Sequence, residues 1–115
     1  MIAAVLLGGG LATAAAMAVE PLVARPPGPV SPARQAELMY IVRHDCGSCH
    51  GMTLNGGLGP ALTPQVLRHK SAPYLAAVIL DGRHGTAMPG WRPLLSEAEV
   101  SWIAAQLREG MPDAH

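Results

Sequence analysis

The chain has 115 residues and a mass of 11.9 kDa, room for one small domain. Eight Lys and Arg balance eight Asp and Glu, a formal charge of zero that excludes a polybasic nucleic-acid or membrane-surface protein. With no Phe, two Trp and two Tyr, aromatic packing contributes little, and so small a chain needs another filler for its core.

Residues 1–18, MIAAVLLGGGLATAAAMA, are apolar and uncharged. Three consecutive glycines interrupt them, and Ala16-Met17-Ala18 fits the small-x-small pattern after which signal peptidase cuts. The expectation is a secretory signal peptide and a protein exported to a bacterial periplasm, with no membrane span after cleavage. An uncleaved anchor is the alternative, because the first basic residue, Arg25, comes late. Residues 19–32 carry five prolines, which preclude a continuous helix and predict a tether.

Ser31-Pro32 reads as an N-cap with proline at the first helical position. It predicts a helix from about Ala33 to Asp45, with Leu38, Ile41 and Val42 on its apolar face and Gly47 at its end. Residues 51–62 are glycine-rich and irregular, and Thr63-Pro64 starts a short helical turn through Leu67. A second helix is expected from Ser71 to Leu80, with Tyr74, Leu75, Val78 and Ile79 on one face and Gly82 as its stop. Loop follows over 82–93. The last helix is the best signalled, with a Ser96/Glu99 capping box, Leu95 and Val100 as a hydrophobic staple, and Gly110 at its end. The reading is all-α: three main helices, long Gly/Pro-rich loops, a domain over 33–110 and a tail over 111–115.

Cys46-Gly47-Ser48-Cys49-His50 is the chemistry-bearing motif. In C-x-x-C-H the two thiols add across the two vinyl groups of one haem, and the following histidine ligates the iron. A thioredoxin-like pair wants a βαβ context, which the pattern lacks. A zinc site needs further ligands at the right spacing, and His69 and His84 are isolated. A single haem c, attached through Cys46 and Cys49 and ligated by His50, is therefore expected. It also supplies the missing core filler, with Leu58, Leu62, Leu67, Ile79, Leu80 and Leu94 as candidate pocket residues.

Met88 is the preferred sixth ligand, because it sits between glycines with Pro89 behind it rather than on a helix face. His69 and His84 are the alternatives. Met52 is too near His50, Met39 reads as core, and Met111 lies past the last helix.

CGSCH, then GLGPAL, TAMPGW and LSEAEVSWIAAQL, resemble a small monohaem class I cytochrome c over residues 33–110. The runs HDCGSCHGMTLNGGLGPALTP and ILDGRHGTAMPGWRPLLSEAEV are similar to the NirC-type cytochromes (cytochrome c55X), encoded beside the cytochrome cd-type nitrite reductase of denitrifying bacteria. The resemblance implies the class I cytochrome c fold, thioethers at Cys46 and Cys49, and iron ligation by His50 and Met88. It also implies that the Pro60 carbonyl accepts from His50 Nδ1, and that the first and last helices cross near Tyr40 and Trp102. Trp91 would lie at the haem edge; Arg92 would either reach a propionate or remain a solvated surface charge.

A doubly ligated haem moves one electron and binds no substrate. The expectation is a monomeric periplasmic electron carrier, not an enzyme. Its partners would be redox proteins, among them the cytochrome cd-type nitrite reductase or the machinery that matures its d-type haem. A small peroxidase or gas sensor with a labile sixth ligand is the alternative.

Overall fold

The computed structural model describes residues 8–10 and 29–112. Most of the expected signal segment, the tether over 19–28 and the tail over 113–115 lie outside the described residues. Among the described residues every regular element is helical, and no helix is long and apolar enough to cross a membrane.

The first helical rod is longer than its sequence pattern predicts. It comprises α1 (Pro32–Ile41), a π turn (Val42–Cys46) and α2 (Gly47–His50). Ser31 caps it, its Oγ accepting from Arg34 N, with Pro32 at the first position where no N–H is needed. Gly47 does not end it. That residue is buried and helical, at φ −62° and ψ −25°, and its N–H reaches back to Val42 O. The π turn adds the equivalent of one residue, rotating α2 by about 100° relative to the core-facing Leu38 and Val42. The true stop is Gly51 at φ 90°, where a Cβ would lie 2.6 Å from Gly56 O.

The segment after Gly51 folds back onto the end of this rod. Gly59 N–H donates to Cys49 O and Gly56 N–H to His50 O, each at 2.8 Å, satisfying carbonyls that a helix end leaves open. Leu54 turns inward at φ 60° and is buried, while Leu62 N–H closes the loop on Leu54 O.

α3 (Pro64–Leu67) and α4 (Ala72–Asp81) follow. Ser71 caps α4 through Tyr74 N, and Leu75, Ala76 and Leu80 are its buried face. Tyr74, expected on that face, is exposed instead, with Lys70 Nζ 5.5 Å above its ring. α5 (Glu97–Glu109) is the hub: α4 packs most extensively on it, and α1 and α3 also touch it. Its capping box is complete, and the stapling pair Leu95 and Val100 are both buried. Val100, Ile103, Ala104 and Leu107 meet Leu38 and Val42 in one core. Met111 joins that core from beyond the helix.

Tyr40 is 65% exposed and stands against His44, their ring centroids 4.1 Å apart, so it is not a buried member of a helix crossing. Trp102 is half-buried against the core. The polar contact joining α1 to α5 is made by Arg34 and Glu99.

Candidate functional site

The C-x-x-C-H residues span the end of the π turn and all of α2, so one helical turn separates the two thiols. Cys46 is half-buried, and burial, with a smaller push from the Asp45 charge, raises its thiol to about 11. Cys49 is exposed, and neither cysteine is in a disulfide. Ser48 Oγ donates to Asp45 O at 2.7 Å and braces the turn between them.

His50 closes the rod, and its Nδ1 lies 2.7 Å from Pro60 O. A carbonyl only accepts, so Nδ1 carries the proton and Nε2 keeps its lone pair free for a metal. The same loop fixes the ring sterically, since a Cβ on Gly59 would sit 2.8 Å from both Nδ1 and Cε1. Glycine at 59 lets the backbone lie flat against the imidazole, and Pro60 then aims its carbonyl.

Met88 stands on a separate loop at the C-terminal end of α4. It is half-buried. Its N–H donates to Thr86 Oγ1 and its carbonyl accepts from Arg83 N, each at 3.3 Å. The base of this loop is tight, because a Cβ on Gly82 would lie 2.7 Å from Met88 O and from Gly90 N. Trp91 is half-buried against the core, its N–H donating to Ile79 O at 3.0 Å. Arg92 donates through Nε to Asp81 Oδ1 at 2.6 Å and through Nη1 to Glu97 Oε1 at 3.4 Å. The Asp81 contact holds its guanidinium more firmly charged than usual.

His69 and His84 are both exposed, His69 accepting from Arg68 Nε. Of the expected pocket residues, Leu67 and Leu80 are buried in the protein core and Leu62 and Ile79 are half-buried against it. Leu58 and Leu94 are 95% and 70% exposed, and Met52 is also exposed. Leu58, on the loop that holds His50, is thus an uncovered apolar side chain. Two unpaired thiols one turn apart, an imidazole with one nitrogen pinned by Pro60 O, and an uncovered apolar side chain on the same loop fit haem c. Among the described residues no three His, Cys, Asp or Glu side chains converge as a metal cage.

Two features escape sequence reading. The bond from His50 Nδ1 to Pro60 O is the one the family resemblance implies, but the close approach of Gly59 to the imidazole appears only once the loop is folded back. The pairing of Arg92 joins the last residue of α4 to the first residue of α5, and no local pattern marks it.

An all-helical fold with a C-x-x-C-H motif at a helix end defines a c-type cytochrome. The model of the family "Cytochrome C oxidase, cbb3-type, subunit III" matches residues 33–107. Cytochrome c55X of Paracoccus denitrificans is 55% identical over 80 residues, covering 70% of this chain and 78% of that protein. The solved structure of a c-type cytochrome NirC is 49% identical, with a TM-score of 0.69, covering 70% of this chain and 95% of that one. A dihydro-heme d1 dehydrogenase of Pseudomonas aeruginosa is 33% identical over 85 residues, which span 74% of this chain but 17% of that protein. The chain belongs to the small c-type cytochromes of the NirC type, the cytochromes c55X. It is an electron-transfer protein with covalently bound haem c and has the class I cytochrome c fold.

Proposed function

We propose that the chain is a periplasmic one-electron carrier whose haem is attached at Cys46 and Cys49 and ligated by His50 and Met88. Residues 1–18 would be the signal peptide, 19–32 a tether and 33–110 the cytochrome domain. The hydrogen bond from His50 Nδ1 to Pro60 O carries this reading. It fixes the tautomer, holds the ring in one orientation and makes Nε2 a better donor, as outer partners of metal-bound histidines do.

Haem supplies a one-electron couple at that site. The chain's part is to fix the imidazole, to place a thioether sulfur from a constrained loop, and to keep water from the ring with Leu58 and Leu94. A thioether opposite a histidine favours the reduced state and raises the potential, and two protein ligands leave no position for substrate.

The partner in this reading is the cytochrome cd-type nitrite reductase or the maturation of its d-type haem. The NirC-type relatives favour the reductase system as a whole. The likeness to part of a dihydro-heme d1 dehydrogenase favours the maturation branch.

Met88 provides the test. The wild-type ferric protein should show the weak red-end absorption of a sulfur–iron bond, and the ferrous protein should resist carbon monoxide at neutral pH. Met88→Ala should lose the band, bind carbon monoxide and have a lower potential. Ready binding by the wild type would instead favour a ligand-binding haem protein.

A further inference from the structure

We propose that Arg92 is a positioning residue: it clamps the base of the loop that carries Met88 and so sets how often that loop opens. The proposal rests on Met88 being the sixth ligand.

Segment 82–91 leaves the end of α4 at Asp81 and returns at Arg92. Three things hold its base together. Trp91 and Arg92 N–H donate to Ile79 O and Leu80 O at 3.0 and 3.2 Å. Gly82 and Gly90 pack backbone on backbone, and a Cβ on Gly90 would lie 2.8 Å from Leu80 O. The Arg92 guanidinium then joins Asp81, the last residue of α4, to Glu97, the first residue of α5. One side chain thus bridges the entry of the loop, its exit and the helix after it. The planar fork of arginine presents separate N–H groups to two carboxylates at once, which a lysine point charge does not reproduce.

These side chains are about half or more exposed. Exposed ion pairs contribute little to global stability and are weakened by salt. Loop opening is a different equilibrium. It breaks few apolar contacts and lies at the low-stability end of the fold, so a weak clamp shifts it measurably. With both links removed, the open fraction should rise roughly two- to fivefold, the range that exposed pairs give.

Cyanide binding to the ferric holoprotein reads that opening, because the probe enters only when Met88 has left. Arg92→Ala should accelerate binding two- to fivefold while the thermal midpoint stays near wild type. Arg92→Lys should fall between. Asp81→Asn should accelerate less than Arg92→Ala, and the double variant should not exceed Arg92→Ala, because the two residues share one link. Salt should accelerate the wild type toward the Arg92→Ala rate and leave Arg92→Ala unchanged. Met88→Ala marks the fully open limit. If Met88→Ala binds no faster than wild type, the proposed ligation fails and the clamp with it. If Met88→Ala is fast but Arg92→Ala matches wild type, the clamp alone fails. Equal acceleration in Arg92→Ala and Arg92→Lys, with no salt effect on the wild type, also overturns it.

Discussion

Arg34 Nε donates to Glu99 Oε1 at 2.6 Å, while the other oxygen of the same carboxylate accepts from Ser96 N at 2.8 Å. One side chain thus completes the cap of α5 and ties α5 to the first turn of α1. The Arg34 hydrogen bond, helped by the Ser96 N–H, holds the Glu99 carboxyl below its usual range.

A carboxylate with a depressed folded pKa contributes stability above its unfolded pKa, and that stability is lost as pH falls through the folded value. The holoprotein should therefore lose stability as pH drops below about 4.5, the ordinary glutamate range. Glu99→Gln keeps a capping-box side chain but removes the charge. It should lower stability at pH 7 by about 1 kcal/mol and flatten the acid dependence. Urea midpoints for both proteins between pH 3 and 7 check this, and equal slopes would show that Glu99 has no part in it.

Haem attachment gives a second expectation. Cys46→Ser or Cys49→Ser should leave at most one thioether, and the double variant none. Acid-acetone should then extract the haem, and the apo chain should lose most of its helical circular dichroism, since haem replaces the aromatic core that the sequence lacks. Covalent haem in the double variant would refute the motif's role.

The contact between Gly59 and His50 gives a third. A methyl group at 59 would meet the imidazole at 2.8 Å, so Gly59→Ala must move the ring or the loop. Either movement lengthens the bond from His50 Nδ1 to Pro60 O, leaves His50 a poorer donor and should raise the reduction potential. Redox titration beside the wild type tests it, and an unchanged potential would mean that the Pro60 bond does not tune the site.

Local signals made the helices legible. Ser31-Pro32 and the Ser96/Glu99 pair are caps whose partners lie three residues away, and the structure has both; Ser71, expected as the first residue of its helix, is instead the cap of α4. The glycines were harder, because glycine fits a helix and a stop equally well. Gly47 continues the rod and Gly51 ends it, a difference set by the approach of Gly56 rather than by residue type. Leu54 and Met111 enter the core from irregular segments where no periodicity points inward. C-x-x-C-H was legible because its chemistry is contained in five consecutive residues. Around it, the bond from His50 to Pro60 came from the family resemblance, whereas the packing of Gly59 on the imidazole and the pairing of Arg92 with Asp81 and Glu97 join distant residues and needed the fold to be seen.

The last prediction concerns docking to the nitrite reductase proposed as partner. Electron-transfer complexes use small, transient interfaces. On the sequence, the edge bordered by the CGSCH turn and the Met88 loop is expected to be small and uncharged, with Gly47, Ser48, Gly56, Gly57, Gly85, Thr86, Ala87 and Gly90 as its residues. The structure removes Gly47, which is buried, and leaves Ser48, Gly85, Thr86, Ala87 and Gly90 exposed. It also exposes Arg83 and His84 on the Met88 loop, so this loop adds a fixed positive charge to the edge. Close approach of small groups should then dominate over steering. The rate of reductase reduction should fall only slightly as ionic strength rises, by far less than for a lysine-ringed surface. Ala87→Glu places a bulky charge in that edge and should slow transfer about tenfold while leaving the visible spectrum and the potential in place, since losing about 1.4 kcal/mol of docking energy is a tenfold effect. Stopped-flow mixing of the reduced cytochrome with the reductase at several salt concentrations measures both. A wild-type rate from Ala87→Glu would mean that the docking face lies elsewhere or that the reductase is not the partner.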